Sequence, residues 1–432
     1  MNKLVHVIGA GLAGSEAAWQ LASRGIAVNL YEMRPQKNTP AHKTADFAEL
    51  VCSNSLRAKG LSNAVGLLKE ELRLQNSLIM EAADKFSLPA GGALAVDRKG
   101  FAKYITNKIK EHDLITVINQ EIKHINTDEL CIVAAGPLCS DDLAEDISKL
   151  IKEEHLHFFD AAAPIVNKES INFNVAFWGS RYDKGGKDYI NCPMNKDQYE
   201  EFYKELINAE VQPLHEFEDK SYFEGCMPVE VMASRGEQTL LFGPLKPVGL
   251  TDLNGEQPHA VVQLRQDNIE GTLYNMVGFQ TRLKWPEQKR VFRKIPGLES
   301  AEFERLGVMH RNTFVNSPKT LLPTGQLKHY KNVLIAGQLS GVEGYVESTA
   351  SGLICGINAA KIAMGNEPII WPAETAHGSL MNYITTAPTK GFQPMNITFG
   401  IIPPLGRKVR KRRERKEAVS SRALEILKEF LE

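Results

Sequence analysis

The opening 32 residues constrain this chain more than any other segment. An apolar run from Leu4 to Ile8 leads straight into Gly9-Ala10-Gly11-Leu12-Ala13-Gly14; a stretch rich in small residues follows, and a second apolar run ends at Glu32. Strand, glycine turn, helix and strand in that order make the first βαβ unit of a doubly wound sheet. Gly9 turns the chain sharply out of the strand, Gly11 presents no side chain to an approaching pyrophosphate, and Gly14 lets the helix close on the sheet. The helix N-terminus adds partial positive charge at the same spot. Glu32 stands 23 positions after Gly9, where a carboxylate meets ribose hydroxyls. Gly9, Ala10, Gly11, Leu12, Ala13, Gly14 and Glu32 are therefore the expected contacts of a dinucleotide.

Bulk properties narrow the class. With 432 residues, 43% of them hydrophobic and 24% charged, the chain has the composition of a soluble globular enzyme with room for two or three domains. No apolar run approaches the roughly 20 residues that span a bilayer, and the first strand begins almost at the initiator Met without a leader pattern, so a cytoplasmic, membrane-free protein is expected. Six cysteines without a CxxC pair exclude a disulfide framework. Eleven scattered histidines show no ligand spacing, so no metal site is expected.

Further along, apolar periodicity predicts a helix from about Ala64 to Phe86 and another from about Phe101 to Glu111, with strand pattern near Ile115 to Ile122 and from Leu130 to Gly136. Asp97-Arg98 precedes a helix, either flanking the adenosine half of the nucleotide or forming a surface turn. From about Ile190 to Gln288 short alternating runs such as Thr239–Phe242 and Ala260–Leu264 point to a separate α+β unit. Parallel-sheet grammar then returns: Val333–Ala336 runs into Gly337-Gln338-Leu339-Ser340-Gly341-Val342-Glu343-Gly344-Tyr345, followed by a helix rich in Ala and Gly. The fold expected is α/β, a Rossmann-like two-part FAD-binding domain with an inserted α+β domain. The divisions fall at 1–189, 190–305 and 306–432. A second glycine loop late in the chain favours FAD over a nicotinamide nucleotide as the tightly held ligand. It makes Gly337, Gln338, Gly341, Glu343, Gly344 and Tyr345 further cofactor contacts.

Four longer segments carry a resemblance. Phe47-Ala48-Glu49-Leu50-Val51-Cys52-Ser53-Asn54-Ser55-Leu56-Arg57, Tyr222-Phe223-Glu224-Gly225-Cys226-Met227-Pro228, Gly307-Val308-Met309-His310-Arg311-Asn312-Thr313 and Gly341-Val342-Glu343-Gly344-Tyr345-Val346-Glu347-Ser348 resemble the folate- and FAD-dependent tRNA (uracil-5-)-methyltransferases, the TrmFO family. The resemblance implies methylation of carbon 5 of a T-loop uridine in tRNA, with 5,10-methylenetetrahydrofolate as one-carbon donor and NAD(P)H regenerating reduced FAD. Addition of a thiolate at carbon 6 of uracil gives carbon 5 enolate character, and a cysteine suits that attack.

By resemblance Cys226 is the nucleophile and Cys52 its acid/base or flavin-adduct partner, although the residues are compatible with exchanged roles. Ser53-Asn54-Ser55 reads as a helix cap, with Arg57 near enough to favour a Cys52 thiolate. His310 and Arg311 are placed to line the flavin and folate pocket. Cys131, Cys139, Cys192 and Cys355 read as structural thiols.

Net charge is −1, yet residues 407–416 hold eight cations in ten positions. Arg407, Lys408, Arg410, Lys411, Arg412 and Arg413 are the expected contacts for a tRNA backbone, which lysine and arginine neutralise without reading sequence. Two alternatives stay open at this level: the same chemistry on a ribosomal RNA uridine, and an NAD(P)H-linked flavoprotein oxidoreductase.

Overall fold

The computed structural model describes residues 4–153, 156–212, 227–307 and 309–432. Its first sheet has five strands, all parallel, in the order Val333–Ile335, Cys131–Val133, Leu4–Ile8, Ala27–Glu32, Ile115–Asn119. The central strand is covered on both faces: Val5 and Val7 are fully buried on one and Ile8 is buried on the other, as a βαβ sheet requires. The strand before each glycine loop belongs to this one sheet, so the late segment completes the early one.

A second sheet of six antiparallel strands runs in the order Phe177–Gly179, Tyr189–Met194, Ala260–Gln266, Leu273–Met276, Ile165–Asn167, Phe303–Arg305. It has its own core around Tyr199, Phe202, Phe279 and Phe292. Two of its strands lie upstream of residue 190, where the change of sequence pattern falls. Each is three residues long, too short to show alternation. Between the sheets, Leu156–Ala161 and Met309–Phe314 run antiparallel, so the outgoing and returning chains form a two-stranded ribbon.

Three local expectations are corrected. The periodic stretch from Ala64 to Phe86 is two helices, Ala64–Leu74 and Leu78–Lys85. Asn76 takes a left-handed φ of 55°, and the Ser77 hydroxyl accepts from the Met80 amide to start the second helix. Thr239–Phe242 is a single helical turn rather than a strand. Ser53-Asn54-Ser55 caps no helix, because Ser55–Ala58 pairs as a strand with Ala93–Val96.

Helix Leu12–Ala22 and helix Tyr345–Ala363 fix the centre of the first unit. A Cβ on Gly14 would stand 1.7 Å from the Gly9 carbonyl oxygen, and one on Gly352 would stand 2.3 Å from that of Ala13. Both helices therefore touch backbone to backbone. Alanine at an unobstructed helical position gains about 1 kcal/mol over glycine. At Gly352 the collision reverses that sign: Gly352→Ala is expected to lower the unfolding free energy by about 2 kcal/mol, checked by urea denaturation.

Candidate functional site: a dinucleotide cavity closed by the Cys52 loop

The two glycine loops open onto one cavity of about 1040 Å³. Gly9, Gly11, Leu12 and Ala13 line it from the first loop, Gly337, Gln338, Tyr345 and Ser348 from the second. Around Gly11 a Cβ would meet nothing within 4 Å, so the cradle is open where a pyrophosphate approaches. Gly11 makes no side-chain cap, which leaves the first-turn amides of the helix for an anion. These residues fit a dinucleotide.

Glu32 lies at one end with Tyr31, Gln120 and Glu121. Its carboxylate accepts from the Ala10 amide at 2.9 Å, the Arg34 amide at 3.0 Å and the Arg34 side chain at 3.0 and 3.2 Å. Burial would raise its pKa. The Arg34 hydrogen bonds and charge, with the two amides, more than reverse this and hold the carboxyl below its ordinary range. Glu32 is thus a fixed anion that orders the glycine loop through Ala10.

At the other end, the Tyr345 hydroxyl accepts from the amides of Cys52, at 2.7 Å, and Ser53, at 3.2 Å. Burial pushes its pKa above the ordinary value, with the Cys52 charge adding to this, so the phenol stays protonated. The Cys52 loop is thereby tied to the second glycine loop across 293 residues. Val51 lines the cavity beside it.

Not every expected contact faces the cavity. The Ala10 amide serves Glu32, and Gly14 packs on Gly9. Beyond the second turn, Gly341 lies against the Phe392 ring and Gly344 over Glu347. Glu343 is buried and accepts from the Gln338 side chain, which does line the cavity. Arg57 is committed to Glu347. Asp97 caps helix Arg98–Lys110 through the Gly100 amide, and Arg98 bonds Asp267 and the Leu50 carbonyl; neither flanks the adenosine end.

The family model for glucose inhibited division protein A matches residues 4–367. A methylenetetrahydrofolate--tRNA-(uracil-5-)-methyltransferase TrmFO of Desulforamulus reducens is 62% identical over 429 residues, 99% of this chain and 97% of the relative. Its counterpart in Listeria innocua is 60% identical over 433 residues and the whole of both chains. The chain belongs to the TrmFO family. Among solved structures, Aquifex aeolicus GidA in the form II crystal superposes with a TM-score of 0.72 at 17% identity, over 98% of this chain and 73% of that one. That likeness is one of fold.

For a TrmFO family member the remaining cysteines are informative. Burial pushes the thiols of Cys131 and Cys355 up to about 12 and that of Cys139 to about 11, and raises Cys192 as well, so these four hold their protons. Cys226 lies outside the described residues, as do the side chains of His310 and Arg311.

The basic tract is solvent-facing: Arg407, Lys408, Arg410, Lys411, Arg412 and Arg413 are all exposed. It runs into helix Arg412–Leu431, whose Val419, Ala423 and Leu427 are buried. Lys411 pairs with Glu414 and Arg413 with Glu417, each at 2.8 Å. Such exposed pairs are worth little and leave the cations open to other anions. Among the described residues no group of His, Cys, Asp and Glu could hold a metal ion.

Sequence alone does not point to Arg265 and Arg305, which reach the Cys52 loop from the second sheet, or to Asp267, which holds Arg98. No spacing in the chain signals them.

Glu32 yields a pH prediction. Its folded pKa is depressed below the ordinary 4.5, so the stability it contributes is complete above that value and is lost as pH falls through the folded pKa. Glu32→Gln is expected to cost about 3 kcal/mol at pH 7, by leaving Arg34 short of its partner, and to flatten the decline below pH 4.5. Urea unfolding at several pH values measures both.

Proposed function

We propose that this chain methylates carbon 5 of a uracil in tRNA, with 5,10-methylenetetrahydrofolate as one-carbon donor and FAD as resident cofactor. The observation that carries this reading is the Cys52 loop, tied by Tyr345 to the far end of a dinucleotide cavity. A cysteine on this loop, next to the cavity-lining Val51, suits chemistry at a flavin ring. The names of the relatives supply the donor, the base and the RNA.

When bound, FAD supplies the hydride that converts a methylene to a methyl group, with NAD(P)H as the source of its electrons. The chain's own residues do the rest. Gly11 and the first turn of helix Leu12–Ala22 bind the pyrophosphate; Glu32 fixes the glycine loop and faces the ribose; Gln338 and Tyr345 bound the ring end. Tyr345 orients the Cys52 backbone, which presents the thiol for proton transfer at the uracil. Cys226 adds to carbon 6, a role it takes from the family motif. The exposed cations at 407–413 hold the RNA backbone, and base choice lies elsewhere because phosphate contacts read no sequence. Among the described residues no helix is long and apolar enough to cross a membrane, and the site of action we assign is the cytoplasm, where tRNA is modified.

The decisive assay supplies an unmodified tRNA transcript, methylenetetrahydrofolate and NADPH, and measures 5-methyluridine. Wild type forms it; Cys226→Ala and Cys52→Ala each lose at least 100-fold while retaining the FAD absorbance, consistent with loss of a covalent or proton-transfer group. Product on a ribosomal RNA fragment and none on tRNA overturns the reading. A second measurement concerns the tract. Replacing Arg410, Lys411 and Arg413 by Ser is expected to weaken tRNA binding and to reduce the log-affinity versus log-salt slope by roughly one for each phosphate no longer neutralised.

A further inference from the structure

The loop that carries Cys52 is held chiefly by arginines. Arg265 donates from Nε to Asn54 Oδ1 at 3.0 Å and from Nη2 to Ser53 Oγ at 2.7 Å. Arg305 donates from Nη2 to the Cys52 carbonyl at 3.1 Å. Arg98 donates to the Leu50 carbonyl and, from Nε, to both Asp267 oxygens at 3.0 and 2.9 Å. Arg265 and Arg305 belong to the second sheet, on strands Ala260–Gln266 and Phe303–Arg305. Thus the second unit grips a loop of the first.

Charge around this loop is unbalanced. Among the described residues these three guanidinium groups form one ion pair, that of Arg98 with Asp267, which is itself buried. Arg57 and Glu347 neutralise each other beside Gly344, Tyr345 is a protonated phenol, and Tyr189 beside Arg265 is likewise neutral at pH 7. Arg265 and Arg305 therefore form no ion pair with a carboxylate among the described residues; the nearby buried Asp97 is taken up by the Gly100 and Ile269 amides. Arg98 Nη2 and Arg305 Nε are buried without an acceptor, a costly state for a charged donor. An anion close by would offset that cost. Arg305 is held 3.1 Å from the Cys52 carbonyl, one residue's reach from its thiol, and a thiolate is the form of cysteine that reacts.

We propose that Arg305, backed by Arg98, is a positioning residue that holds Cys52 as a thiolate at the ring end of the cavity. The proposal rests on Cys52 being a reacting group. Its consequence is that Cys52 is more reactive when the second sheet is docked, because Arg305 arrives from that sheet. A reagent that reports the thiolate reads this without any methyl transfer.

The test is alkylation of the FAD-loaded enzyme by iodoacetamide from pH 5.5 to 9.5, with Cys52 modification quantified by peptide mass spectrometry. Arg305→Gln is expected to move the midpoint up by about one pH unit and so to slow alkylation at pH 7 about two- to fivefold. Arg305→Lys, which keeps the charge, restores most of the wild-type profile. Asp267→Asn, which removes the carboxylate paired with Arg98 yet leaves Arg98 an acceptor, moves the midpoint down.

FAD absorbance and melting temperature identify any variant that fails to fold, and the opposite shifts of Arg305→Gln and Asp267→Asn keep the result decisive if one does. Equal midpoints in wild type, Arg305→Gln and Asp267→Asn overturn the proposal. So does a shift of both variants in the same direction, which is what a merely loosened loop produces. If the alkylation shifts appear while Cys52→Ala still forms 5-methyluridine, the positioning stands and the role assigned to Cys52 in methylation falls.

Discussion

Everything in the first unit is referred to one contact, the backbone of helix Leu12–Ala22 against that of helix Tyr345–Ala363. Gly352 and Gly356 let the late helix rest on the carbonyls of Ala13 and Ala17, where Cβ atoms would come to 2.3 and 2.8 Å. Because each helix follows a glycine loop, this contact sets the distance between the loops. It thereby sets the width of the cavity between them. Dispersion and apolar burial then fill in around it, with Ala13, Ala17, Val346, Ala350 and Leu353 all in one core.

A second constraint joins the two sheets. The segment from Leu50 to Asn54 is bonded by Tyr345 on one side and by Arg98, Arg265 and Arg305 on the other. The Asn54 side chain adds bonds to the Val96 and Gln266 carbonyls at 3.0 and 2.8 Å. A loop so heavily hydrogen-bonded has little freedom to sample other conformations, and preorganisation of a reacting group is what a catalytic thiol needs. Placing the anchors on two separate units makes the geometry of Cys52 a property of the assembled chain.

The parts legible in the sequence were those set by the local backbone. The turn at Gly9 to Gly14, the buried strands Leu4–Ile8 and Val333–Ile335, and the small-residue helix after Gly344 follow from spacing, because a glycine requirement is met within a few residues. The family resemblance was legible for the same reason, in contiguous motifs. Boundaries fared worse where a few residues decide: Asn76 and Ser77 split a periodic stretch into two helices, and Thr239–Phe242, an apolar run short enough to pass for a strand, is one helical turn. The charged surroundings of Cys52 were illegible. Arg57, five residues away, was the natural partner by sequence, yet it is bound to Glu347. The cations that serve the loop from the second sheet lie 211 and 253 residues distant.

Every functional assignment above requires the cavity to hold its dinucleotide with the ring end against Tyr345 and the Cys52 loop. A crystal structure of the FAD complex tests this most directly. The pyrophosphate is expected over Gly11, the adenosine ribose beside Glu32 and the isoalloxazine next to residues 51–53. An isoalloxazine at the Glu32 end, or a Cys52 loop displaced from Tyr345 once FAD is bound, would contradict it.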